Sequence, residues 1–327
     1  MRVLVTGATG FTGGHLARAL AARGDDVSAL VRTQGPAATR LAQAGVTLVL
    51  GDLRDPHALA AASGGVEVVY HIAAIYRQAG LGDEVYREVN ARAVRDVIDA
   101  AAREGVRRVV HCSTVGVHGD VEHPPANEDA PLKPGDIYQA TKLEGEELAR
   151  EAGARQGIEV TIVRPTGIYG PGDRRLLKLF RGVAQRRWIT LGDGEIYYHL
   201  TFIDDLVDGF RLCGTHPAAA NRTYILAGAE VTTLNTLVAL VADVAGVPAP
   251  TWHLPAWPFW TAGALCEALC APFGVEPPIF RRRVDFFTKS RAFDITRART
   301  EIGYAPRVGL REGIRRTLDW YRTEGWL

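Results

Sequence analysis

The chain has 327 residues, 47% hydrophobic and 23% charged, enough for one large domain or two lobes with a proper core. A net charge of +1 argues against a nucleic-acid partner or a global pull towards an acidic surface. Cys112, Cys213, Cys266 and Cys270 lack Cys-x-x-Cys spacing and an accompanying His pair, which argues against a zinc site or disulfide framework and predicts a reducing cytoplasm, with no metal.

The N-terminus carries one charge and a short apolar run before "TGATG", which is not the pattern of a signal peptide. "RVLVTG" (2–7) predicts a strand ending at a glycine. "FTGGHLARALAARG" (11–24) has helical apolar spacing and stops at Gly24. Strands are predicted at 26–32, 45–52 and 66–74, a long helix over 83–104, and further strands at 106–114 and 158–165, with a helix over 136–156 between these last two. The strand runs are apolar nearly throughout, which predicts burial of both sheet faces. Strand–helix alternation predicts an α/β fold, a doubly wound parallel sheet of Rossmann type. After residue 170 helical segments dominate, with proline clusters at 248–258 and 272–278, and "TYILAG" (223–228) is expected to return to the sheet. The expected division is a dinucleotide-binding domain at 1–170 and 201–228 and a smaller, mainly helical substrate lobe at 171–200 and 229–327. The apolar, Trp-rich stretch 252–274 is interrupted by Pro255, Pro258 and Glu267, so it predicts a helix covering an apolar pocket or a peripheral membrane contact (252–273), not a span.

Gly7, Gly10 and Gly13 form a G-x-x-G-x-x-G loop between a strand and a helix. So tight a turn needs residues without Cβ, and the helix N-terminus offers N–H groups to a pyrophosphate. The second strand ends "ALVR": Val31 stands where an NAD site usually has an acid, and Arg32 can pair with a 2′-phosphate, so NADP is favoured over NAD. Asp52 of "GDL" can accept from an adenine amino group or simply start a helix. Tyr138 and Lys142 in "DIYQATKLEGEEL" lie one helical turn apart on one face.

Together with "HIAA" (71–74), Asn90 in "EVNARA", "CSTVGVHG", "YQATK" and "RPTGIYGPGD", these motifs resemble the extended short-chain dehydrogenase/reductase family, the NAD-dependent epimerase/dehydratase type, over essentially the whole chain. The resemblance implies that Tyr138 is the general acid/base, that Lys142 favours its phenolate and binds the nicotinamide ribose, and that Thr114, with Ser113 as fallback, binds the reacting oxygen. It implies cofactor contacts at Gly7, Thr9, Gly10, Phe11, Gly13, Arg32, Asp52, Leu53, Ala73, Ala74, Asn90, Tyr138, Lys142 and Pro165. It also implies a homodimer through 83–104 and 136–156.

The chain departs from the sugar-nucleotide members of that family. Gly167 stands in place of an Asn that grips the diphosphate, and Tyr198 or His199 in place of an Arg; Arg174, Arg175 or Arg281 to Arg283 could compensate. Val115 and Gly116 replace the Asp–Glu pair that a 4,6-dehydratase uses after the threonine. The Trp-rich stretch and "RRRVDFFTKSRAFDITRA" (281–298) look more like the 3β-hydroxysteroid dehydrogenase and dihydroflavonol reductase branches, with Trp257, Phe259 or Trp260 lining the pocket. Expected substrate contacts are Ser113, Gly167, Arg174, Tyr198 and Trp257. The expected activity is oxidoreduction of a secondary alcohol or ketone on a small, partly apolar molecule. The alternatives are a sugar or sugar-nucleotide 4-epimerase with bound cofactor, and a silent dinucleotide sensor.

Overall fold

The computed structural model describes residues 1–78, 80–270 and 281–327; the second proline cluster (272–278) and the end of the Trp-rich stretch lie outside them. The first half runs β1 (Arg2–Thr6), α1 (Phe11–Ala22), β2 (Asp26–Val31), α2 (Pro36–Gln43), β3 (Thr47–Leu50), α3 (Pro56–Ser63), β4 (Val68–His71), α4 (Asp83–Arg87), α5 (Ala93–Arg103), β5 (Arg108–Cys112), α6 (Ile137–Gln156) and β6 (Glu159–Pro165). The second half adds β7 (Gly167–Tyr169), α7 (Leu177–Ala184), β8 (Thr190–Leu191), β9 (Tyr197–Phe202), α8 (Ile203–Thr215), β10 (Thr223–Leu226), β11 (Val231–Thr233), α9 (Leu234–Ala245), β12 (His253–Leu254), α10 (Trp257–Cys270), α11 (Arg281–Thr288), α12 (Thr296–Ile302) and α13 (Leu310–Thr323).

Seven strands form one parallel sheet in the order β10-β6-β5-β4-β1-β2-β3, so the chain reverses direction beside β1, where a doubly wound sheet opens its binding crevice. The strand at 223–228 does return to the sheet, with Leu226 opposite Pro165. In the central strands alternate side chains enter two cores. Val3, Val5, Val68, Tyr70 and Val110 pack towards α1 and α8, while Leu4, Val69 and Val109 pack towards α3, α5 and α6. Burial on both faces thus holds for the centre and fails for β3. As the sheet edge it leaves Leu50 56% exposed, and an apolar run alone does not distinguish an edge from a centre.

The long helix expected over 83–104 is interrupted. Between α4 and α5 residues Glu88–Arg92 form a π turn. It turns the amide of Asn90 inward, where Oδ1 accepts from Ile75 N at 2.8 Å and Nδ2 donates to Ile75 O at 3.0 Å and to Thr141 Oγ1 at 3.3 Å. Helix α6 passes so close that a Cβ on Gly145 would lie 2.4 Å from Asn90 O.

Candidate active site

The glycine loop closes under steric limits that no other residue meets. Gly7 has φ +70°, and a Cβ there would lie 2.6 Å from Ala73 N; a Cβ on Gly13 would lie 2.4 Å from Gly7 O. Gly10 caps α1 without a side-chain cap, so N–H groups of the first turn point into the cavity beside Thr9 and Phe11. Ala73 and Ala74, past the end of β4, line the opposite side, and Ala73 N donates to Thr6 Oγ1 at 3.3 Å.

At the far end of the cavity Val31 is buried at the close of β2 and Arg32 is exposed. Asp52 and Leu53 line the same end. The Asp52 carboxylate accepts from Arg54 Nε at 2.9 Å and Nη2 at 3.1 Å, and this bonding holds its pKa down to about 2. Arg18 and Arg40 also line this end, two groups the sequence reading missed, and burial followed by the charge of Arg40 lowers the pKa of Arg18. None of Arg18, Arg32 and Arg40 has a carboxylate partner among the described residues.

Tyr138 and Thr114 line the middle of the cavity, whereas Lys142 is enclosed and does not line it. Asp136 caps α6, accepting from Gln139 N at 2.9 Å, and binds Arg77 at 2.7 Å. Tyr138 in the first turn meets Tyr76 edge-to-face at 4.9 Å, and the Arg77 guanidinium lies 5.7 Å from its ring centre. Burial lifts the Tyr138 phenol well above its ordinary range; Cys112 and Tyr76 add to this, while Arg77 and Arg175 oppose it. Lys142 is 1% exposed and its Nζ has no hydrogen-bond partner among the described residues. Burial lowers its pKa, and Cys112 and Glu146 oppose that. The neighbouring His71 and His111 rings stack at 5.4 Å, and burial keeps both neutral, so they add no competing charge beside Lys142.

Thr114 and Ser113 separate cleanly. Thr114 Oγ1 accepts from Gly116 N at 3.0 Å, which leaves its proton available to a ligand in the cavity. Ser113 Oγ donates at 2.6 Å to Glu146, which is fully buried and bound twice by Arg164, at 2.8 and 2.7 Å. The Ser113 hydroxyl is therefore committed to the scaffold. The Asn90 amide bonds Ile75 and Thr141, which braces α6, and Asn90 does not line the cavity.

The substrate end corrects other expectations. Gly167 lines the cavity, and a Cβ there would lie 2.7 Å from Leu200 Cδ2. The Tyr198 hydroxyl donates to Phe286 O, and the His199 ring is held between Gly228 O (2.8 Å) and Phe293 N (3.3 Å). Neither replaces the missing arginine. Arg174 is exposed at the rim, 4.8 Å from the Trp326 ring; Arg175 is held by Asp173 at 2.8 Å and lies 5.3 Å from the Phe11 ring. Trp257 is 69% exposed and does not line the cavity, nor does Phe259, because α10 turns them outward; Trp260 does line it. Tyr76 and Arg77 are cavity residues without a sequence motif to announce them, and Lys289 and Arg291 of the segment 281–298 line the cavity as well. Arg281 pairs with Glu267 at 2.7 Å, while the side chains of Arg282 and Arg283 lie outside the described set.

Two observations fit a dinucleotide cofactor: a loop in which Gly7 and Gly13 leave no room for a Cβ, and a buried lysine amine with no hydrogen-bond partner among the described residues. Pro165, at the end of β6, lines the cavity on the same side as Thr114. The profile of the family described as NAD dependent epimerase/dehydratase matches residues 3–227. The chain belongs to this family. It is 32% identical, over 84% of its length, to a 3beta-hydroxysteroid-dehydrogenase/decarboxylase (isoform 2) of Arabidopsis thaliana, and spans about half of that protein (52%). It is 30% identical to a 2-alkyl-3-oxoalkanoate reductase of Stenotrophomonas maltophilia, covering 97% of this chain and 98% of that one. Among solved structures it resembles the dTDP-glucose 4,6-dehydratase of Streptomyces venezuelae with NAD and TYD bound, at 27% identity and TM-score 0.79 over 100% of this chain and 98% of that one.

Proposed function

We propose that the protein is an NAD(P)(H)-dependent oxidoreductase acting at a secondary alcohol or ketone on a partly apolar substrate with no nucleotide handle. The observation that carries this reading is the meeting, in one cavity, of the Tyr138 phenol with a Thr114 hydroxyl whose proton is not committed, while Lys142 is buried with no hydrogen-bond partner among the described residues. The bound nicotinamide would donate or accept the hydride. Thr114 and Tyr138 would both hydrogen-bond the reacting oxygen. In reduction Tyr138 gives its proton to that oxygen as the carbinol forms; in oxidation it takes the proton back as phenolate. Lys142 would hold a ribose hydroxyl and, as a cation, stabilise the phenolate.

The lack of a nucleotide handle is supported by Gly167, which offers no side chain to a diphosphate, and by Tyr198 and His199, whose polar atoms are already used. The two curated relatives described above are named for sterol and alkanoate substrates. The NADP preference rests on Arg32, Arg18 and Arg40 at the end where the adenosine ribose would lie, and on the apolar Val31 in place of an acid. Arg174 at the rim keeps one alternative open, a nucleotide-sugar 4-epimerase with cycling cofactor.

The test is turnover of NADPH and NADH with apolar ketones, set against interconversion of nucleotide sugars without added cofactor. Tyr138→Phe should lower turnover by about 10²–10⁴-fold with cofactor affinity unchanged. A variant that keeps most of its activity would remove Tyr138 from the mechanism.

A further inference from the structure

Helix α10 is apolar around its circumference, and only Gly263 of it is buried. Trp257, Leu265 and Leu269 are 69%, 62% and 61% exposed, and Trp260 and Phe259 are 45% and 41% exposed. Trp252 and Leu254, on the approach through β12, extend the patch. A helix that is apolar on every side belongs in a core or against lipid, and a contiguous patch of this kind marks an interaction surface.

The charges say which surface. Glu267 is the single charge in α10, and Arg281 neutralises it at 2.7 Å while lying 5.6 Å from the Trp260 ring. Residues 281–291 then carry five basic residues, Arg281, Arg282, Arg283, Lys289 and Arg291, against the single acid Asp285. Tryptophan and leucine beside a basic run suit the boundary layer of a bilayer with anionic headgroups. A two-fold contact with a second copy would instead bring two net-positive segments alongside each other. The helix has 14 residues, about 21 Å at 1.5 Å each, too short for a hydrocarbon core of ~30 Å, and no described helix is long and apolar enough to cross a membrane. It can lie in the interface without spanning it.

Trp260, Glu267, Arg281, Phe286 and Lys289 also line the cavity, so the inner side of this segment is the wall of the substrate end. We propose that the outer face of α10, with Trp257, Leu265 and Leu269, docks into the interfacial layer of an anionic bilayer and sets the cavity mouth at the lipid surface. An apolar substrate then enters from the membrane without crossing water.

The experiment uses the full chain and vesicles of phosphatidylcholine with and without phosphatidylglycerol. Co-sedimentation should appear with phosphatidylglycerol and weaken at high salt. Brominated lipid should quench tryptophan fluorescence in the unaltered protein. Leu265→Glu and Leu269→Glu should each weaken partitioning about tenfold. Both positions are exposed, so melting temperature and cofactor binding should stay unchanged. Absence of binding, binding indifferent to phosphatidylglycerol, or equal binding by both variants would overturn the proposal. So would a dimer that Leu265→Glu dissociates, since that would assign the patch to a second copy.

Discussion

Replacing Arg164 with methionine tests whether the buried network behind Thr114 holds the site together. Arg164 is 2% exposed and donates to both oxygens of Glu146, to Glu128 O at 3.0 Å and to His118 at 3.2 Å. Burial alone would raise the Glu146 pKa; the bonds and charge of Arg164 overcome this, and the net shift is downward. Methionine fills much of the volume but leaves a buried carboxylate with only Ser113 and the half-exposed Arg150. Breaking a buried pair in this way costs about 3–5 kcal/mol. For a chain of this length the unfolding entropy is about 0.7 kcal/mol per degree, so the melting temperature should fall about 4–7 °C. The pH dependence has a definite sign. The depressed carboxyl of the unaltered protein contributes stability above the unfolded pKa and loses it as pH falls through its folded value. In Arg164→Met the orphaned carboxyl protonates more readily, so the gap between the two proteins should narrow on acidification. Adding Glu146→Gln to Arg164→Met should recover part of the loss. Scanning calorimetry between pH 4 and 7 reads all three effects. An unchanged melting temperature, or a gap that widens on acidification, would refute the reasoning.

Other expectations follow from the cavity. Because burial holds the Tyr138 phenol up, kcat/KM for reduction should stay flat through neutral pH and fall only in alkali, while oxidation rises with pH. Arg77→Gln removes a cation that pulls the phenol down and should move both limbs to higher pH in the same profiles. Arg32→Ala should weaken NADPH binding about ten- to a hundredfold and leave NADH nearly unchanged, read by fluorescence titration. Gly13→Ala presses a Cβ against Gly7 O, a strain of about 1–3 kcal/mol, and should weaken both cofactors about tenfold or more.

What the sequence conveyed was local. The glycine loop, the parallel strands and the spacing of Tyr138 and Lys142 are patterns of near neighbours, and the sheet and α6 carry them as expected. What it concealed depends on distant partners. Nothing near Tyr198 in the chain shows that its hydroxyl is taken by Phe286, 88 residues away, or that Glu146 claims Ser113 and so leaves Thr114 facing the cavity. Trp257 looked like a pocket residue because composition reports apolarity without direction, and α10 turns it outward. Arg18, Arg40 and Arg77 belong to no motif, since a cation reaches the cavity through the packing of its element. The break in the helix over 83–104 is hidden for a similar reason: apolar spacing shows which face is buried and does not reveal one extra residue in a turn.

That extra residue makes the bracing of α6 a matter of counting. The π turn at Glu88–Arg92 directs the Asn90 amide at Ile75 and Thr141. Deleting a single residue there would let the segment wind as a continuous α-helix, with the flanking turns nearly in phase and the inward direction of the Asn90 amide lost. Val89 in that turn lines the cavity, and the clasp between the loop after β4 and the helix bearing Tyr138 would come undone as well. The cavity therefore depends on the residue count of 88–92 as well as on the identity of the side chains in its wall.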